Sequence, residues 1–147
     1  MPSPYKSAEA FAKAFREAEY ALKRSGYLRR NKTAAEADWD LFARDLGQGF
    51  FDGVVAMGIA KTLIGHPPRQ LLAETMTWSP PEPKPLTTVA QLIIVGVCRV
   101  RNSYVHGEKF TGGPEGQWDR DATLINEAHR VLEAAIVAAT TAGALAR

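Results

Sequence analysis

The chain contains several stretches in which apolar residues recur every three or four positions, separated by short polar or proline-rich stretches. The first stretch has apolar residues at Phe11, Phe15, Ala18 and Leu22. Charged residues fill the positions between them, so the pattern predicts an amphipathic helix from about residue 7 to residue 25. Gly26 follows and suits the position just after a helix end.

A second helix is predicted to begin at a capping box formed by Thr33 and Glu36. Its apolar stripe consists of Trp39, Phe42, Ala43 and Leu46. Gly47 and Gly49 are expected to interrupt this helix. Residues 50–63 then predict a largely buried helix, which the sequence Gly-His-Pro-Pro closes.

The next part of the chain is poor in helical signals. A short helical turn is predicted over residues 69–74. The four prolines between residues 76 and 85 exclude a helix there and favour a stiff, extended surface connection. No stretch of the chain alternates with a period of two between hairpin signals, so no strand is predicted.

Two further helices are predicted in the second half of the chain. The first is the most apolar segment, with Leu92, Ile93, Ile94, Val95, Val97 and Val100. Thr87 or Thr88 is expected to cap its start, and Gly107 ends it near His106. The last helix begins near Asp119 or Asp121 and buries Leu124, Ala128, Val131, Leu132, Ala135 and Ala139. The pattern predicts an all-α bundle of four or five helices, forming one domain over residues 1–147.

Composition narrows the class of protein. The chain has 147 residues, of which 46% are hydrophobic and 23% charged, with a formal net charge of +2. These values are typical of a globular domain and argue against a protein that coats nucleic acid by charge alone. Cys98 is the single cysteine and is interpreted as a small buried apolar group. We expect no metal, no cofactor, no membrane contact and a cytoplasmic location.

Arg101, Asn102 and His106 lie close together near the predicted end of the apolar helix. Asn102 and His106 are four positions apart, so a straight α-helix stacks them on one face. Arg101 lies about 140° from His106 around such a helix, but its long side chain is expected to bend into the same groove. Arginine is a permanent, forked partner for phosphate, and histidine exchanges protons near neutral pH.

These residue types suit the cleavage of RNA without a metal. Arg101 would neutralise the charge that develops on the phosphorus oxygens, and His106 would transfer a proton to or from a reacting oxygen. One imidazole cannot easily act on the attacking and the leaving oxygen at once. This requirement favours a homodimer in which two such helix ends meet at one phosphate.

The block Val-Arg-Asn-Ser-Tyr-Val-His-Gly-Glu-Lys-Phe, residues 100–110, resembles the signature of HEPN domains. In that family an Arg precedes a His by a few residues at the end of a buried helix, and the order of helices is similar over most of the chain. The resemblance implies an all-α domain that dimerises through the motif helices. It also implies a metal-independent endoribonuclease of a bacterial defence or toxin–antitoxin system.

By position, the resemblance implies that Arg101 and His106 are catalytic and that Asn102 assists by hydrogen bonding. We assign Lys109 and Tyr104 to substrate binding, with Lys109 holding a flanking phosphate. The expected partners are an RNA substrate, a second copy of the chain and an antitoxin or regulatory protein.

One position departs from the pattern, and the same residues allow other readings. Glu108 stands where family members that pair with a nucleotidyltransferase antitoxin carry Tyr. Arg101 could instead form a structural ion pair with Glu127 or Asp52, and His106 could cap its helix. The chain would then be a catalytically inactive helical module that binds RNA, a nucleotide or a protein partner, or a purely structural dimer.

The basic run from Arg24 to Lys32, which includes Tyr27, also has two interpretations. It either follows the phosphates of an RNA or is a solvated connection between helices, which is the commoner role of such a run. Trp39 and Trp78 are interpreted as packing anchors.

Overall fold

The computed structural model describes residues 4–104 and 118–145, and within these ranges the chain is predominantly helical. The single helices are α1 (Pro4–Arg24), α2 (Trp39–Leu46), α3 (Gln48–Met57), α4 (Lys61–Gly65) and α7 (Trp118–Thr141). A further helix, residues 89–104, is continuous and consists of α5 (Val89–Gln91), a π-helical segment (Leu92–Cys98) and α6 (Arg99–Tyr104). We name it the central helix. The all-α class is confirmed, with six helices in the described ranges.

Helix α1 follows the apolar pattern of its sequence. Its stripe of Phe11, Phe15, Ala18 and Leu22 is buried. The helix begins at Pro4 and ends at Arg24, close to the predicted bounds. Gly26 follows with φ at 93°, a left-handed conformation that glycine adopts without strain. The buried stripe packs α1 along α7 in the most extensive contact between two helices.

The predicted capping box at Thr33 and Glu36 is wrong. Both residues are exposed, and the second helix begins only at Trp39. The cap is instead Asp38, whose carboxylate accepts a hydrogen bond from the amide of Leu41 at 3.0 Å. Asp38 directly precedes Trp39, the first residue of the apolar stripe. Its carboxylate satisfies an amide in the first turn of a helix that begins at this stripe, with no exposed turn before it.

Gly47 interrupts the chain before α3 as predicted, but the predicted helix over residues 50–63 is wrong because the chain also breaks at Gly58. Gly47 has φ at 81° and separates α2 from α3. Gly58 has φ at 67° and ends α3 in the left-handed conformation. Gly49, the other predicted interruption, lies inside α3. The break at Gly58 turns α3 and α4 into separate short helices, which explains why the bundle has more helices than predicted.

A small sheet replaces the helical turn predicted at residues 69–74. Strand β1 (Gln70–Leu71) pairs antiparallel with β2 (Trp78–Ser79). Each strand has two residues, too few for an alternating pattern to be visible in the sequence. Residues 76–85 contain no helix, as their prolines predict.

The central helix starts as predicted and then changes geometry. Thr88 is the cap, and it forms a full capping box with Gln91. The π-helical segment that follows was not predicted from the apolar run. Within it Gly96 faces α4, where an added Cβ atom would lie 3.3 Å from the Leu63 side chain. The glycine therefore allows the two helices to approach closely.

Helix α7 completes the bundle. Its predicted stripe is buried at Leu124, Ala128, Val131, Leu132, Ala135 and Ala139. Buried side chains from every helix belong to one connected hydrophobic core. None of the helices in the described ranges combines the length and the apolar composition needed to cross a membrane.

Candidate functional site

An open cleft lies between α6, α1 and the segment that connects α1 to α2. Its volume is about 320 Å³. The polar residues that line it are Glu19, Lys23, Arg29, Glu36, Arg101 and Asn102. We name it the motif cleft. The structure therefore brings two of the predicted catalytic residues, Arg101 and Asn102, to one solvent-accessible surface, next to cations from another part of the chain.

The guanidinium of Arg101 rests on an aromatic platform. Its Cζ atom lies 4.6 Å from the ring centroid of Phe15. That ring in turn packs against Trp39, with 4.8 Å between the two centroids. A cation held over a partly desolvated ring is stabilised by about 1–2 kcal/mol, and the ring leaves the positive charge intact. The platform fixes Arg101 at the cleft wall.

Asn102 lies beside Arg101 in the same wall and is half-buried, like its neighbour. The sequence predicted a groove faced by Asn102 and His106 into which Arg101 bends, and the structure places Arg101 and Asn102 on one cleft. His106 and Lys109 lie outside the described residues, so their assigned roles stay predictions.

Tyr104, which we assigned to substrate binding, contacts α7. Its hydroxyl donates a hydrogen bond of 2.6 Å to a carboxylate oxygen of Asp121, which is fully buried. Burial, together with the bond to Asp121, raises the pKa of Tyr104 well above its ordinary value. The hydroxyl therefore stays protonated and ties the last described turn of the central helix to the start of α7. Substrate binding by Tyr104 stays a prediction.

Glu127 and Asp52, the two carboxylates that the sequence offered as ion-pair partners of Arg101, lie on α7 and α3. Glu127 accepts a hydrogen bond of 2.8 Å from the amide of Leu63, in the first turn of α4. This bond satisfies an amide that has no partner within its own short helix. Asp52 lies on α3 and is exposed.

Cys98 lines the motif cleft but is buried. Burial raises the pKa of its thiol to about 12, so the side chain is neutral at physiological pH. This agrees with its interpretation as a small apolar group. In the described ranges no cluster of His, Cys, Asp and Glu side chains is suited to hold a metal ion.

The basic run from Arg24 to Lys32 contributes a cation to the motif cleft, but its tyrosine does not line the cleft. Arg29 lines the motif cleft, where it also forms an ion pair of 3.4 Å with Asp40. Tyr27 is buried, and its hydroxyl donates to Asp45 at 2.8 Å. An RNA base cannot stack on this buried ring. The exposed aromatic residue in this region is Tyr20, two turns earlier on α1, which the sequence pattern did not single out.

Comparison of the chain with family models, curated proteins and solved structures gives no match. The candidate site is therefore defined by the geometry of its own residues.

Proposed function

We propose that this chain is an HEPN-like, metal-independent endoribonuclease of a bacterial defence or toxin–antitoxin system, active as a homodimer. The observation that carries the proposal is the position of Arg101 and Asn102, side by side in an open cleft that also contains Lys23 and Arg29. A cleft with this set of donors suits a phosphodiester, because guanidinium, ammonium and carboxamide groups all donate hydrogen bonds to phosphate oxygens.

The proposed reaction is a transfer within the RNA strand. The 2′-oxygen attacks the adjacent phosphorus and loses its proton, and the bond from phosphorus to the 5′-oxygen breaks. The products are a 2′,3′-cyclic phosphate and a 5′-hydroxyl. Arg101 stabilises the extra negative charge of the five-coordinate phosphorus, a role for which loss of one donor costs about 10²–10³ in rate.

His106 transfers the protons of this reaction. One imidazole in its protonated form donates to the leaving 5′-oxygen, while a neutral imidazole accepts the proton of the 2′-hydroxyl. The dimer supplies one His106 for each task. Asn102 donates a hydrogen bond that orients either the phosphate or the imidazole beside it.

The test is cleavage of RNA by the purified protein in EDTA. We expect wild-type protein to cut a mixed-sequence RNA and His106→Ala to be at least 100-fold slower, in line with loss of a general acid–base group. His66→Ala is the matched control. His66 is exposed, and its backbone carbonyl, which the substitution keeps, accepts the hydrogen bond from Arg120. Its activity should equal that of wild type.

Three results would contradict the proposal. Equal cleavage by wild type and His106→Ala would point to a contaminating nuclease. Loss of cleavage in EDTA would exclude a metal-independent reaction. Binding of RNA by wild type without any cleavage would identify the chain as the inactive binding module instead.

A further inference from the structure

A second groove runs along α1 and joins the motif cleft. Its volume is about 590 Å³, and Arg16, Tyr20 and Arg24 lie along it. Glu19 and Lys23 line both the groove and the motif cleft, so the two depressions adjoin along α1. We name this second depression the α1 groove.

The α1 groove and the motif cleft together concentrate positive charge. Among the described residues, five arginine or lysine side chains and two glutamates line the two depressions. Because Arg29 is paired with Asp40, the local excess is two positive charges, as many as the net charge of +2 carried by the whole chain. A protein whose charge is nearly balanced thus has one surface suited to a polyanion.

The α1 groove also presents an aromatic ring. The guanidinium of Arg24 lies over the Tyr20 ring with 4.8 Å between its Cζ atom and the ring centroid. The two residues are one helical turn apart, so this contact fixes the ring on the helix surface. Tyr20 nevertheless remains 63% exposed, so part of its ring surface is open to contact with a ligand.

We propose that the α1 groove holds single-stranded RNA, with one base stacked on Tyr20 and the backbone led by Arg16 and Lys23 into the motif cleft. Stacking on an exposed ring requires an unpaired base, whereas the bases of a duplex are already stacked on one another. Tyr20 lies on α1 one residue after Glu19 and three before Lys23, and both of these residues also line the motif cleft. One short strand can therefore contact both places. The assignment of RNA as the polyanion rests on the proposed function.

The test measures binding separately from cleavage. Anisotropy of a fluorescein-labelled, 12-nucleotide single-stranded RNA is titrated with the His106→Ala protein and with the same protein carrying a second substitution. Tyr20→Ala should weaken binding by about five- to thirtyfold, since a base–aromatic stack is lost. Tyr20→Phe keeps the ring and should stay within about twofold.

Charge is tested by salt dependence. Arg16→Gln should reduce the slope of log K against log salt by about 0.7, the contribution of one phosphate contact in a single strand. Arg130→Gln is the matched control, because Arg130 is exposed on α7 and does not line the groove. Its slope and affinity should match those of the parent protein.

The proposal is overturned if Tyr20→Ala binds as tightly as the parent, if neither protein binds the RNA, or if perfect duplex RNA binds equally well. Competition by poly-glutamate at matched charge as effective as competition by RNA would assign the groove to an acidic protein segment instead. Binding that depends on Tyr20, without cleavage by wild type, would refute only the ribonuclease. Cleavage that depends on His106 but not on Tyr20 would refute only the α1 groove.

Discussion

The two ends of the central helix use polar residues in different ways. At the start, Gln48 donates a hydrogen bond of 2.8 Å to the carbonyl of Thr87 and accepts one of 3.0 Å from the amide of Val89. At the end, Arg101 and Asn102 line an open cleft. The bond to Val89 satisfies an amide that a helix start leaves without a partner in the helix, whereas the side chains at the other end line a cleft open to solvent. Substitutions at the start should therefore reduce stability, and substitutions in the cleft should reduce activity.

The largest expected effect is on the rate of RNA cleavage at the cleft end. Arg101→Lys keeps a positive charge but loses the planar fork that matches phosphate, so we expect kcat/KM to fall by about 100-fold. The melting temperature should change by only a few degrees. Arg44→Lys, at an exposed position of α2, is the control and should alter neither quantity. A rate within threefold of wild type would remove Arg101 from the proposed mechanism.

The next effect concerns the last described turn of the central helix. Tyr104→Phe removes the donor to Asp121 and leaves a fully buried carboxyl group without that bond. We expect the free energy of unfolding, measured with urea, to fall by about 2 kcal/mol. Tyr20→Phe is the control, since the Tyr20 ring is exposed and should contribute nothing comparable. A loss below 0.5 kcal/mol for Tyr104→Phe, on the scale of an ordinary surface substitution, would show that this bond does not anchor α6.

A smaller loss of stability is expected at the helix start. Gln48→Ala removes two hydrogen bonds that water partly replaces, so the free energy of unfolding should fall by about 1 kcal/mol. The cleavage rate per folded molecule should stay unchanged. Asn126→Ala, on the exposed face of α7, should lie within about 0.5 kcal/mol of wild type. A reduced cleavage rate in Gln48→Ala would contradict the assignment of stability to the start of the central helix and of activity to its end.

Local signals predicted much of the fold. The apolar stripes of α1 and α7 and a threonine cap at residue 87 or 88 were predicted correctly, because each depends on residues within a few positions of one another. The break at Gly58 and the π-helical segment were missed. A glycine in an apolar run is compatible with both a helix and a helix end, and close packing of Gly96 on Leu63 is a tertiary effect. The residues next to Gly96 and Leu63 in the sequence give no indication of this contact.

The candidate site was predictable to a similar degree. The common position of Arg101 and Asn102 in one groove followed from their place at the end of an apolar helix. Their surroundings did not, because Phe15 lies far away in sequence and had been interpreted only as a core residue. The partnership of Tyr104 with Asp121 was missed for the same reason: Asp121 had been read only as an acidic residue at a helix start.

The smallest effect tests where the apolar part of the central helix gives way to the cleft. Cys98 ends the π-helical segment, and burial raises the pKa of its thiol from 9.0 to about 12. At pH 7 the thiol is neutral in both the folded and the unfolded chain. As the pH rises from about 9 to about 12, it ionises first in the unfolded chain, so folding stability is lost over that range. Between pH 7 and pH 9.5 the loss should be about 0.8 kcal/mol, seen as a steeper decline for wild type than for Cys98→Ala in urea unfolding. Parallel declines would mean that water reaches the thiol and that the cleft extends further into the helix than its apolar residues indicate.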